Sequence, residues 1–111
     1  MIEKQNSTNL EAIANQQIIK KSVDLICGKW RLAVINLLRR DTLRYGEIKR
    51  LIPDISEKVL VQELKNLVEV GILTKKSFSE IPPRVEYTIT EKGRRILPVI
   101  DLLIQIGPKI I

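Results

Sequence analysis

The chain has 111 residues, 44% of them apolar, and nineteen Lys and Arg against thirteen Asp and Glu give a formal net charge of +6. That size suits one domain around one core, and the basic balance favours anionic partners such as nucleic acid. The absence of histidine removes zinc fingers and histidine-based acid–base catalysis, and a single cysteine removes an intramolecular disulfide.

Residues 1–8 are polar and are expected to be frayed, so the folded domain is placed at residues 9–111. Over residues 9–26, Leu10, Ile13, Ala14, Ile18, Ile19, Val23 and Ile26 recur near helical spacing. This predicts one helix, with residues 16–20 as the place where it could break. After Gly28, residues 30–40 (WRLAVINLLRR) are apolar nearly all round and end in cations, as a central buried helix would. A short link over 41–44 leads to a helix at 45–51, where Tyr45, Ile48 and Leu51 form one stripe. Pro53 and Asp54 make the turn that stops it.

The helix at 56–70 carries the clearest signals. Ser56 is a favoured N-cap, and Glu57 suits the positive end of the helix dipole. Leu60, Leu64, Leu67 and Val68 share one face, while Lys58, Gln62 and Lys65 lie opposite with Val59 and Val61 on the flanks. The outward face therefore offers two cations, an amide able to read an adenine edge, and a valine able to touch a thymine methyl. The plainer reading is a solvated helix face. Two β-rich segments follow, 72–78 and 85–89, joined by a turn-rich loop at 79–84 in which Pro82 and Pro83 hold Arg84. Thr90 caps a predicted last helix over 91–106. Its Val99, Leu102, Leu103 and Ile106 belong to an apolar surface covering more than one face.

A helix, a turn, a helix and a β hairpin in that order predict a mainly α chain with a small β wing. This is an α+β arrangement of the winged helix-turn-helix type. The surplus apolar surface of the last helix points to a second copy of the chain, with Leu10, Ile13, Leu102, Leu103 and Ile106 as interface candidates. The alternative is that the N-terminal helix covers this surface within one chain. Arg39, Arg40, Arg44, Lys49 and Arg50 cluster around the helix before the turn, where phosphates would pass. Among these, Arg44 and Lys49 join Ser56, Lys58, Val61, Gln62, Lys65 and Arg84 as DNA-contact candidates. Trp30, Tyr45 and Tyr87 read as core. Cys27 reads as a small buried hydrophobe, although Lys29 and the following helix start would also suit a reactive thiol.

No phosphate loop, GxGxxG or GxSxG motif occurs, and no nucleophile–base pair can be named, so no enzyme, metal or cofactor is expected. No signal-peptide core is evident, and the most apolar run is too short to span a bilayer, which fits a cytoplasmic protein. The rival to double-stranded DNA is a protein partner docked on the same helix face. Such a face would carry aromatic anchors, and this one carries none.

Four segments, VDLICGKWRLAVINLL, RYGEIKRLIPDISEKVLVQELKNL, VGILTKKSFSEIPPRVEYTITEKG and RRILPVIDLL, resemble the HxlR-type family of bacterial winged-helix regulators across about residues 23–103. The resemblance implies a homodimer built on the terminal helices that reads a pseudo-palindromic operator. It also implies that 56–70 is the recognition helix and that Lys75, Lys76 and Arg84 belong to the wing. Some members of that family sense oxidants or electrophiles through a cysteine near the N-terminus. This chain has none there, and Cys27 stands where the family usually carries glycine, so the inducing signal is left unassigned.

Overall fold

The computed structural model describes the backbone of residues 2–111 and the side chains of residues 9–111. The expected loose segment, residues 1–8, lies outside the residues described in full. Helix α1 spans Ile2–Ile26 and runs unbroken through residues 16–20. Every residue from 9 to 24 is exposed, and only residues 25–27 begin to be covered. The helix thus projects from the head, and the molecule measures 70 × 29 × 24 Å.

Helix α2, Arg31–Leu37, is shorter than the predicted 30–40 but central as predicted, with Val34, Ile35 and the capping Leu38 buried. The link that follows holds a strand, β1 (Leu43–Arg44), which pairs antiparallel with a later strand through Leu43 opposite Tyr87. Helix α3, Tyr45–Leu51, has the predicted bounds and buries Ile48 completely. The Glu47 carboxylate accepts from the Arg44 backbone N–H at 2.9 Å, which satisfies one orphan donor at its start.

Helix α4, Glu57–Glu69, begins at Ser56, whose hydroxyl accepts from the Val59 N–H at 3.2 Å. Leu60, Leu64 and Leu67, spaced at four and three residues, are fully buried. Gly71 ends the helix at φ +80°, the left-handed region that glycine enters without a Cβ penalty. It allows Ile72 N to reach Leu67 O (2.9 Å) and Gly71 N to reach Val68 O (3.1 Å), closing the helix with a Schellman pair.

Strands β2 (Leu73–Phe78) and β3 (Arg84–Ile89) form an antiparallel hairpin, and the sheet order is β1-β3-β2. The predicted last helix is in fact two, α5 (Glu91–Arg94) and α6 (Leu97–Ile110). Pro98 has no N–H to return to the Arg94 carbonyl, so the chain restarts and Pro98 sits in the first turn of α6. The helix then continues four residues past the predicted end at 106. Gly93 is the tightest point of the fold. A Cβ there would lie 2.5 Å from Ile72 O and 2.7 Å from Ile89 Cγ1, so α5 lies against the start of the hairpin with no room for a side chain.

Candidate nucleic-acid interface

Because Leu60, Leu64 and Leu67 turn inward, α4 presents Lys58, Val61, Gln62 and Lys65 to solvent, and Val61 is 54% exposed. The Gln62 Nε2 donates to Asn66 Oδ1 at 3.0 Å, which orients the amide and leaves its other edge for an outside partner. Five ion pairs occur among the described residues, and neither Lys58 nor Lys65 takes part in any of them. Ser56 is exposed at the helix start, with its hydroxyl engaged as the cap.

The wing stands beside this helix. Lys75 and Lys76 are exposed on β2, opposite Tyr87 and Glu86 of β3. A cleft of about 240 Å³ brings Val61 and Lys65 of α4 to Lys75 of the wing. A second cleft, about 410 Å³, lies between α3 and the wing loop and gathers Arg44, Arg50 and Arg84. Residues predicted from separate segments therefore meet in two clusters, α4 with strand β2, and α3 with the wing loop. The exposed cations of these clusters, Lys65 and Lys75 in the first and Arg44 and Arg50 in the second, are suited to phosphate oxygens.

Other predicted cations have work inside the protein. Arg84 NH2 lies 3.2 Å from Glu80 and its Nε 3.5 Å from Glu86, while its guanidinium stacks on Phe78 at 3.9 Å. Lys49 Nζ donates to Pro53 O at 3.2 Å, across the turn between α3 and α4. Arg39 bonds Asp101 at 2.6 Å and Asn36 at 3.0 Å, tying α2 to α6. Arg44 stays exposed, 4.0 Å from Glu86, and Arg40 and Arg50 are exposed.

Several contributors carried no local signal in the sequence. Arg31 pairs with Glu63 thirty-two positions away, and Thr90, which caps α5 as predicted by accepting from Gly93 N at 3.1 Å, also donates from Oγ1 to the distant Gly71 O at 2.6 Å. Lys92 Nζ caps Val70 O at 2.6 Å. Cys27, expected to be buried, is only half-buried because it lies in the turn between α1 and α2. Trp30 is half-buried beneath Lys29, whose Nζ is 5.3 Å from the ring. The Tyr87 phenol is pushed up by burial and then by Tyr45, and that of Tyr45 by burial and then by Glu57.

The terminal helices remain uncovered. On α6, Val99, Leu102, Leu103, Ile106 and Ile110 are 40–74% exposed, and on α1 Leu10 and Ile13 are 66% and 59% exposed. Cover of α6 by α1 within the chain, the alternative raised from the sequence, does not occur among the described residues. No helix among them is long and apolar enough to cross a membrane.

The architecture and sequence have close counterparts. Residues 25–111 match the model of the HxlR-like helix-turn-helix family. An HTH-type transcriptional regulator of Methanothermobacter thermautotrophicus is 38% identical over 89 residues, covering 80% of this chain and 68% of that protein. Among solved structures, a protein from Porphyromonas gingivalis W83 described as a MarR-family transcriptional regulator superposes with a TM-score of 0.79. It is 45% identical and covers 84% of this chain and 91% of its own. The oxidised form of the redox regulator HypR superposes with a TM-score of 0.76 at 28% identity, covering 82% of this chain and 94% of its own. The chain belongs to the HxlR-like helix-turn-helix family and is a DNA-binding transcriptional regulator with a winged-helix head.

Proposed function

We propose that the protein acts in the cytoplasm as a homodimer, joined through α1 and α6, that reads the two halves of a pseudo-palindromic operator. One observation carries this reading: the apolar residues of both terminal helices are exposed in the single chain. Val99, Leu103, Ile106 and Ile110 recur at four- and three-residue steps along α6, the spacing of a helix–helix seam. Burying them against a second copy contributes about 25 cal/mol for each Å² removed from water.

In this reading each α4 enters a major groove, with half-sites about one turn, roughly 34 Å, apart. Gln62 and Val61 read base edges, Lys58 and Lys65 approach bases or phosphates, and Arg44, Lys75 and Lys76 hold the backbone. Occupancy of the promoter then governs transcription. A protein-docking role for the same face is disfavoured by the lack of an aromatic anchor among its exposed residues.

Sedimentation at micromolar concentration tests the assembly. The wild type is expected at twice the 12.7 kDa chain mass, and Leu103→Asp at the mass of one chain with weakened operator binding, because it places an unpaired charge in the seam. A wild type that stays a monomer and still binds an operator duplex tightly would overturn the reading.

A further inference from the structure

Helix α1 meets the head through very little. Its residues 9–24 are exposed, and cover begins only at Leu25. At that point stands Arg31, the first residue of α2. Its NH1 donates to Leu25 O at 2.8 Å, capping a carbonyl at the end of α1 that has no partner within its own helix. The same guanidinium faces Glu63 in the middle of α4, with Nε to Oε2 at 2.8 Å and NH2 to Oε1 at 3.4 Å. One planar, forked side chain therefore bonds the projecting helix on one edge and the recognition helix on the other. The Arg31 and Glu63 side chains are 13% and 20% exposed, so water competes with the contact only weakly. Glu63 follows Gln62 directly, and its carboxylate is turned to Arg31.

We propose that Arg31 is a positioning residue that fixes the direction of α1 relative to α4 and thereby sets the half-site spacing the dimer accepts. The inference rests on the homodimer reading given above. It separates two properties of the protein. Residues on the outward face of α4 decide which bases are preferred, and Arg31 decides how far apart the two sets of bases lie. Leu25 and Ile26 are only partly buried, Ile26 against the edge of the core, and an apolar contact this small permits a range of exit angles. The two-edged bond narrows that range, because an angle that lengthens one edge misaligns the other.

The test uses the full chain and three variants: Arg31→Met, which keeps the aliphatic stem and removes every donor, Arg31→Lys, and Glu63→Gln. Each is titrated against the preferred operator duplex, the same duplex with one or two base pairs inserted or deleted between half-sites, and a duplex with a single half-site. The wild type is expected to bind the altered spacings at least tenfold more weakly, on the scale of a lost base contact. Arg31→Met is expected to lose most of that discrimination, to about threefold or less, with single-half-site affinity and dimer mass unchanged. Arg31→Lys, with one point donor in place of the fork, should also fail to restore it, and Glu63→Gln should lose part of it. Full wild-type discrimination in both Arg31→Met and Glu63→Gln would overturn the inference. So would a parallel fall in melting temperature and single-half-site affinity, which would make Arg31 a stabilising residue only. A monomeric wild type would instead overturn the homodimer reading on which the inference rests.

Discussion

Phe78 and Arg84 are the last cross-strand pair before the wing loop, and the Arg84 guanidinium lies 3.9 Å from the centre of the Phe78 ring. Glu80 and Glu86 approach the same guanidinium at 3.2 and 3.5 Å. A cation held on three sides is poorly placed to neutralise a phosphate. Arg84→Ala is therefore expected to lower stability by about 1 kcal/mol, from the lost stacking and ion pairs, and to leave the salt dependence of DNA binding unchanged. Lys75→Ala should make that dependence shallower by about one unit of slope with no loss of melting temperature, and Lys76→Ala should add to the same change of slope a small loss of stability, because its Nζ lies 5.0 Å from the Phe78 ring centre. Titrations at several salt concentrations, with thermal melts alongside, separate the two behaviours.

Gln62 is expected to carry base preference. Its amide is oriented by Asn66 at 3.0 Å and is exposed beside Val61. Gln62→Ala should cost about 1–3 kcal/mol at one base position and relax the preference there, with affinity for scrambled duplexes nearly unchanged. Affinity measured across single-base variants of the operator checks this. An equal loss on every sequence would assign Gln62 to the backbone.

Gly93→Ala tests the closest approach in the fold. The added methyl would meet a backbone carbonyl at 2.5 Å and an isoleucine carbon at 2.7 Å. Because the carbonyl of Ile72 also accepts from Thr90 N at 3.0 Å, it has little freedom to retreat. A loss of about 1–3 kcal/mol in urea unfolding is expected, the range for overpacking a well-filled interior.

Stability should also fall at high pH through the tyrosines. Both phenols are held above their ordinary value of 10.0, Tyr87 chiefly by burial. The folded chain keeps these protons longer than the unfolded chain does. Their contribution is therefore complete below about pH 10 and is lost as the pH rises through the folded values. Tyr87→Phe should flatten this alkaline decline relative to wild type in urea midpoints measured from about pH 8 upward.

Strong periodicity made several elements legible in the sequence. Helix α3 has its predicted bounds, and Leu60, Leu64 and Leu67 fall on the buried face of α4 as their spacing requires. Strand β1 escaped notice because two residues cannot display an alternation. The α5–α6 break escaped because the apolar pattern continues through Ile96 and Leu97, although Pro98 carried the signal. The site was legible as a set of residue types, and less so as a set of free ones. Nothing local distinguishes Arg39, committed to Asp101, from Arg40, which is exposed. Likewise, the role of Arg31 depends on a contact thirty-two residues distant. Partners fixed by tertiary packing are not written in the neighbouring residues.

Helix α1 is also a lever. Its 25 residues make it about 37 Å long at 1.5 Å per residue. A rotation of about 10° at its root displaces the far end by about 6 Å, close to two base-pair steps along B-DNA. In the proposed homodimer, a small adjustment in the turn holding Cys27 and Gly28 would therefore become a mismatch on the scale of the half-site spacing, with the outward face of α4 itself untouched.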